Sequence, residues 1–271
     1  MVSAGSGVWR RKCLPVLDTM KPIYRCIHIR FMIEWMFLLA GVIEFTLPVG
    51  LAIYLKRKFG VSWIIFFFSA ILFILSLIRI PLNLFVNDAL SRHFFGTSLL
   101  LVGSFFPSLT AGLFEEGFRF LGYRYLFSPS KRTWRNGLMY GTGHGGIEAI
   151  LLVSLTHLFL FVFLRFAPGI LPFGYTQEIL ALPAYMPLVA TLERVLALSI
   201  QIGLSIIVLQ CFVRKSLRYL GYAIGLHTAV DFVTLLLVQE SIALAEAGVG
   251  AFAILSLYLI FKFREKSEGP E

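Results

Sequence analysis

Long apolar runs recur along this chain, and each is about as long as a membrane is thick. A helix rises 1.5 Å per residue, so about 20 apolar residues cross the hydrocarbon core of a bilayer. We expect the third run to continue as helix through Glu115 to Phe127, and the long fourth run to tilt or break near its glycines. The predicted fold is all-α, a polytopic transmembrane helix bundle of about seven spans, at Phe31–Leu55, Val61–Val86, Thr97–Phe114, Gly137–Phe166, Val189–Phe212, Leu217–Val238 and Ile242–Phe263.

The composition supports a membrane protein. Of the 271 residues, 58% are hydrophobic and 14% are charged, whereas soluble domains have about 45–50% apolar and about 25% charged residues. No linker, repeat or low-complexity tract divides the apolar part of the chain. Residues 31–264 are therefore predicted to form a single integral membrane domain embedded in the lipid bilayer.

The net charge of +9 does not indicate nucleic-acid binding, because Lys and Arg lie mostly in alternate loops between the apolar runs. The intervening loops contain only Arg92. The positive-inside rule places the basic loops in the cytoplasm, with the N-terminus outside and the C-terminus inside. The basic set is Lys56, Arg57, Lys58, Arg124, Lys131, Arg132, Arg135, Arg214, Lys215, Lys262, Arg264 and Lys266.

Residues 1–30 form a basic extension that conflicts with this topology. Its six cations would hold the N-terminus inside, and no signal-peptide pattern precedes the first apolar run. Three interpretations remain: translation starts at Met20 or Met32, the extension forms an interfacial helix, or the topology is reversed. We favour the internal start. The cations are Arg10, Arg11, Lys12, Lys21, Arg25 and Arg30.

Three of the apolar helices each carry two ionisable residues four positions apart. Such residues share one helix face, and ionisable groups inside a membrane are costly and usually functional. From the cytoplasmic ends of their helices, the two histidines lie about 10 and 15 Å deep, and their partners about 16 and 21 Å deep. We therefore expect one polar cavity that opens toward the cytoplasm. The pairs are Glu115 with Arg119, His144 with Glu148, and His227 with Asp231.

The adjacent carboxylates Glu115 and Glu116 point about 100° apart on a helix, so they can have different tasks. One can act as general base on a water molecule. Arg119, one turn further on, can hold the other carboxylate ionised and oriented.

The histidines complete a hydrolytic set. His144 and His227 can orient water, donate to an oxyanion or bind a metal. Asp231 or Glu148 can fix the tautomer of a histidine on the same helix face. Activated water beside an oxyanion stabiliser is the chemistry of amide or ester hydrolysis.

The order and spacing of these motifs resemble the YhfC family of intramembrane proteases, which is related to the PrsW and CAAX-prenyl-protease-like (Abi) groups. The resemblance covers about Thr97 to Val238. It implies an all-helical protein of a prokaryotic plasma membrane that cleaves a membrane protein or peptide within the bilayer. The motifs are Glu115-Glu116-Gly-Phe-Arg119, Gly143-His144-Gly-Gly-Ile-Glu148-Ala149 and His227-xxx-Asp231.

The resemblance assigns roles to the matching residues. Glu115 and Glu116 take the water-activating position, with Arg119 as the supporting charge. His144 and His227 take the positions of oxyanion stabilisers or of ligands to a divalent metal such as zinc. Asp231 supports the second histidine.

The chain departs from the related groups at two places. Its Arg follows the first Glu by four residues rather than five, and position 120 is Phe. Related proteins often carry a further His on the helix before His-xxx-Asp, where this chain has Glu193, Arg194 and Gln201. The second departure argues against a three-histidine metal site.

Three functions are consistent with the sequence. An intramembrane protease is the one we favour. A proton-coupled transporter would use the same residues as a proton relay, although the internal repeat common in such transporters is not apparent. A non-catalytic membrane scaffold could retain the site.

Away from the pairs, we expect Arg79 to snorkel to the membrane interface, and Glu193 and Arg194 to be interfacial or paired structural charges.

Overall fold

The computed structural model describes residues 21–264, with side chains from Arg30 onward except that of Phe173. Most of the basic extension, with the alternative start at Met20, lies outside the described residues. Within this range the chain is helical, without strands. The described residues also contain a 3₁₀ turn at Pro129–Lys131 and a π-helical segment at Ala149–Ser154. Their ten α-helices are α1 (Lys21–Phe59), α2 (Trp63–Ser76), α3 (Arg79–His93), α4 (Gly96–Tyr125), α5 (Trp134–Glu148), α6 (Leu155–Phe166), α7 (Phe173–Ala181), α8 (Met186–Val213), α9 (Arg218–Glu240) and α10 (Ile242–Lys262).

Seven helical segments in the described range are long and apolar enough to cross a membrane, which confirms the predicted fold class. The third continues through Glu115 to Tyr125 as expected, two residues short of Phe127. The seven are Arg30–Phe59, Trp63–His93, Gly96–Tyr125, Trp134–Phe166, Met186–Val213, Arg218–Glu240 and Ile242–Lys262.

The second span is broken in the middle, which the sequence pattern did not predict. α2 ends at Ser76, and α3 begins at Arg79 after a turn at Leu77 and Ile78. The cause is Pro81, which has no N–H for the carbonyl of Leu77 and whose ring would clash with it. The N–H of Ile80 donates to that carbonyl instead, at 2.9 Å.

The fourth span also changes geometry. Its glycines remain in α-helix, and the change comes at Ala149–Ser154, a π-helical segment directly after Glu148. Such segments are rare and often lie at functional sites. The loop that follows this span contains the short helix α7, which the sequence pattern did not predict.

The described residues form two compact units. The first contains those up to Ile43 together with Val153–Thr191. Its core consists of Ile33, Phe37, Leu160, Leu164 and Ile179. In this unit Arg30 donates to the Glu34 carboxylate at 2.9 Å and to the carbonyl of Leu164 at 2.8 Å.

The second unit contains Glu44–Leu152 and the described residues from Leu192 onward. In it α4 packs against α2, α3 and α9, α2 packs against α5, and α9 packs against α10. Fully buried residues of α8 lie in its apolar core, including Leu204, Ile206, Val208 and Leu209. Every site residue predicted from the sequence belongs to this unit.

Glycines let α5 approach its neighbours closely. A Cβ at Gly143 would lie 2.3 Å from the carbonyl oxygen of Phe66 on α2, and one at Gly141 would lie 2.5 Å from the Cα of Ile202 on α8. Both contacts are with backbone, which cannot rotate away as a side chain can. Small residues of this kind let membrane helices pack backbone to backbone.

We predict that Gly143→Ala lowers the free energy of unfolding by about 1–3 kcal/mol, the usual cost of overpacking a dense core. Gly50→Ala is the matched control, because no described atom lies within 4 Å of a Cβ built there. The measurement is SDS-induced unfolding in mixed micelles, followed by tryptophan fluorescence. Equal stability of the two variants would contradict the close contact between α2 and α5.

Candidate active site

Three helices bring Glu115, His144 and His227 to a similar depth. Glu115 lies ten residues before the end of α4, His144 ten residues after the start of α5, and His227 nine after the start of α9. These offsets correspond to about 15, 15 and 14 Å along the helices. Direct contacts and a bridging glutamine join all seven predicted residues, namely Glu115, Glu116, Arg119, His144, Glu148, His227 and Asp231.

Glu115 is surrounded by side-chain nitrogen atoms from four other helices. Its Oε1 accepts from Nη2 of Arg79 at 2.6 Å. Its Oε2 lies 3.0 Å from Nε2 of His144 and 3.3 Å from the amide nitrogen of Gln201. Nε2 of His227 lies 3.8 Å from the same oxygen. The residue is 2% exposed, and its carboxylate faces both imidazoles.

Glu116 forms a different set of contacts, as the 100° offset between adjacent helical residues predicts. Nη1 of Arg119 donates to both of its oxygens at 2.9 Å. Nδ1 of His227 lies 2.8 Å from Oε1. Glu116 and Arg119 are completely buried. Arg119 therefore holds the second carboxylate rather than Glu115.

His227 stands between the two carboxylates. Because its Nδ1 bonds Glu116, its Nε2 is left to face Glu115 and Asp231, whose oxygens each lie 3.8 Å away. The Asp231 side chain is 37% exposed, far more than the others in the centre. Asp231 is therefore the least buried side chain of the centre.

His144 is fully buried and held from two sides. Its ring meets Phe73 of α2 edge-on, with centroids 5.1 Å apart, and its Nε2 contacts Glu115. Among the described residues, no partner reaches its Nδ1. The ring is thus positioned by α2 and α4 as well as by its own helix.

Glu148 does not pair with His144 on its own helix face. Its Oε2 accepts from the amide nitrogen of Gln201 at 2.6 Å, and its Oε1 accepts from Nη1 of Arg194 at 3.1 Å. Arg194 also donates to Glu193. Of the two expectations for residues 193 and 194, interfacial or paired structural charges, the pairing is confirmed, and it extends to Glu148.

Sequence reasoning misplaced Arg79 and assigned no role to Gln201. Arg79 was expected to snorkel to the interface, and this was wrong, because the break at Leu77 lets it pair with Glu115. The sequence did contain a signal for Arg79, because a single cation in the middle of an apolar run is usually functional. For Gln201, the signal was its place seven residues, or about two turns, after Arg194 on the same face of α8.

The donor types in this centre suit zinc, but their arrangement does not. Zinc needs three or four ligand atoms about 2.0–2.3 Å from one point. Here Glu115 and His144 are hydrogen-bonded to each other, and His227 directs one nitrogen at Glu116. No group of three His, Cys, Asp or Glu in the described part of the chain is arranged to hold a metal. The assignment of His144 and His227 as ligands stays a prediction.

The fold and this centre define a class, that of polytopic helical membrane proteins with a buried carboxylate–histidine site. A profile of the YhfC intramembrane metalloprotease family matches residues 43–254, and the chain belongs to this family of membrane peptidases. It is 32% identical over 245 residues to the "Uncharacterized membrane protein YhfC" of Bacillus subtilis (strain 168), covering 83% of this chain and 93% of that protein. No solved structure matches.

We predict that Arg119→Met lowers the free energy of unfolding by about 3–5 kcal/mol, because it leaves the Glu116 carboxylate buried without its cation. The double variant Glu116→Met/Arg119→Met removes both charges and is expected to recover more than half of that loss. SDS titration in micelles measures both. A double variant as unstable as Arg119→Met would show that the pair is not a compensated unit.

Proposed function

We propose that this protein hydrolyses peptide bonds within the bilayer, with Glu115 as general base and a membrane protein or peptide as substrate. Family membership supports the peptidase class. The observation that carries the assignment of the base is that one oxygen of Glu115 faces the ring nitrogens of both His144 and His227, at 3.0 and 3.8 Å.

The alternative base, Glu116, is less suited to the task. Both of its oxygens already accept from Arg119, one also bonds His227, and none of its surface is exposed. A general base must come within hydrogen-bond reach of the proton that it takes. We therefore assign Glu116 to orienting Arg119 and His227.

In the proposed reaction, Glu115 takes a proton from water, and the water oxygen attacks the carbonyl carbon of the scissile bond. Negative charge develops on the carbonyl oxygen, which accepts a hydrogen bond from Nε2–H of His227. Because Nδ1–H of this ring already donates to the Glu116 carboxylate, His227 acts here as an imidazolium, which donates from both nitrogens. The C–N bond breaks as Glu115 returns the proton to the leaving nitrogen. The products are a carboxylic acid and an amine.

The environment fits a reaction that must be protected from bulk water. Burial strengthens interactions with developing charge, and the partly exposed Asp231 marks where a substrate strand enters. We infer that the reaction takes place in the cytoplasmic half of the bilayer. This is supported by the depth of about 15 Å along the helices and by the topology that the positive-inside rule predicts.

The proposed reaction uses the side chains of the centre without a metal ion. Arg79 and Arg119 already place guanidinium groups 2.6 and 2.9 Å from the two carboxylates. These cations offset the negative charge that would otherwise attract a divalent ion.

We predict that Glu115→Gln lowers the rate of peptide cleavage by about 10²–10⁴-fold, the usual contribution of a general base, without loss of folding. Glu34→Gln is the matched control, a buried glutamate paired with Arg30 in the other unit. The assay uses proteoliposomes and a panel of quenched-fluorescence peptides, each with an apolar segment of about 20 residues.

Equal cleavage by Glu115→Gln and the parent would contradict this mechanism. Absence of cleavage together with ion flux dependent on Asp231 would favour the transporter. Retained complementation of a deletion phenotype by Glu115→Gln and His144→Ala would favour the scaffold.

We predict that the purified, active protein contains less than one zinc per chain and keeps its activity after treatment with 1,10-phenanthroline. The reason is that Glu115, Glu116 and Glu148 are already paired with arginines. Elemental analysis of the parent and of His227→Ala measures this. One zinc per chain that is lost in His227→Ala, with loss of activity on chelation, would establish the metal route instead.

A further inference from the structure

A single neutral side chain, the carboxamide of Gln201, connects three charged groups of the centre. Its Oε1 accepts from Nη2 of Arg119 at 2.5 Å. Its Nε2 donates to Oε2 of Glu148 at 2.6 Å and to Oε2 of Glu115 at 3.3 Å. The residue is 5% exposed. The amide oxygen thus accepts from one cation, and the amide nitrogen donates to two anions.

The charges around this amide determine which way it points. A carboxamide has an acceptor oxygen and a nitrogen with two N–H donors. The guanidinium of Arg119 requires the acceptor, and the carboxylates of Glu115 and Glu148 require the donors. A flipped amide would place its oxygen against two carboxylates and its N–H groups against a cation, and would lose all three bonds.

The stem of Gln201 is held as firmly as its head. A Cβ at Gly145 of α5 would lie 2.8 Å from the Cβ of Gln201 and 3.1 Å from its Cγ. A Cβ at Gly141 would lie 3.1 Å from the carbonyl oxygen of Gln201. The stem therefore packs directly on the backbone of α5, and the reach of the amide is set by helix packing.

The acceptor behind Gln201 is itself anchored. Glu148 is held by Arg194 at 3.1 Å, and Arg194 lies on the same helix as Gln201, seven residues earlier. The amide is therefore fixed on one side by the Glu148–Arg194 pair and on another by Arg119. The contact that remains, to Oε2 of Glu115, is directed at the oxygen that faces both histidines.

We propose that Gln201 is a positioning residue that keeps Oε2 of Glu115 directed at His144 and His227 and links it to the Glu116–Arg119 pair. This inference rests on the proposed function, because Glu115 is the base that it positions. Loss of the amide removes one donor from Glu115, one donor from Glu148 and one acceptor from Arg119. The base then gains freedom to rotate, and a displacement of about 1 Å can cost about 10²-fold in rate.

The test compares kcat and KM for cleavage of the same peptides by Gln201→Leu and Gln210→Leu. The control is a buried glutamine of the same helix, which bonds the carbonyl of Ile206 and accepts from Nε of Arg214. We expect Gln201→Leu to lower kcat by about 10–100-fold with KM unchanged within about twofold. We expect Gln210→Leu to keep the parental kcat.

A charge swap separates positioning from packing. Gln201→Glu is expected to lower kcat more than Gln201→Leu, because its second oxygen faces Glu115 and Glu148. In Gln201→Glu/Glu148→Gln, the new amide at 148 can donate to the new carboxylate at 201. We therefore expect the double variant to recover at least about tenfold over Gln201→Glu, or about 1.4 kcal/mol. A purely steric role predicts no such recovery.

Parental kcat in folded Gln201→Leu would overturn the inference, as would a double variant no better than Gln201→Glu. If Gln201→Leu does not fold, Gln201→Asn replaces it in the test. Asn keeps the amide, but its side chain is one methylene shorter, so the amide lies further from its partners. It is expected to lose kcat as well, and parental kcat there also overturns the inference. Glu115→Gln is measured alongside: if it remains active, the proposed function fails, whereas an inactive Glu115→Gln with unaffected Gln201 variants rejects only the positioning role.

Discussion

The Glu116 carboxylate and the Arg119 guanidinium are in contact at 2.9 Å with neither side chain exposed. Two charges removed from water cost several kcal/mol each unless they are paired and their remaining hydrogen-bonding groups are satisfied. Here α4 supplies both charges, and the remaining partners come from α8 and α9, through Gln201 and His227. The pair therefore stabilises the protein only when these helices are assembled, which makes helix packing and the formation of the polar centre one event.

The same constraint separates the roles of two adjacent carboxylates. Glu116 accepts from Arg119 with both oxygens and contacts His227 with one of them, and none of its surface is exposed. Glu115 is held on one oxygen by Arg79, while the other faces His144 and His227. Arg79 thus compensates the charge of Glu115 on one side, and the two histidines of the proposed reaction lie on the other. Adjacent glutamates on a helix point in different directions, so a pair in sequence need not be a pair in function.

Much of this arrangement follows from the sequence. Apolar length determines the seven spans, and the four-residue spacing on three helices identifies the residues of the centre, because both depend on helix geometry alone. Arg79 escaped this reasoning because its position depends on the break that Pro81 causes. Gln201 escaped because a neutral amide costs less in a membrane helix than a charge does and therefore gives a weaker signal. The pairing of Glu148 with Arg194 was missed because partners on different helices depend on how those helices are packed.

The glycines of α5 explain why so many ionisable groups fit into so small a space. Between Tyr140 and Ile147, His144 is the only large side chain; the other five residues are Thr142 and four glycines. On one side the backbone of α5 reaches Phe66 of α2, and on another it reaches Gln201 of α8. Close approach excludes space that water would otherwise occupy, and a drier centre makes each ion pair and each hydrogen bond stronger. The ring of His144 contacts Phe73 and Glu115 of the adjacent helices, which set its orientation. A change in the packing of α2 or α4 would therefore reach the proposed catalytic centre through this ring.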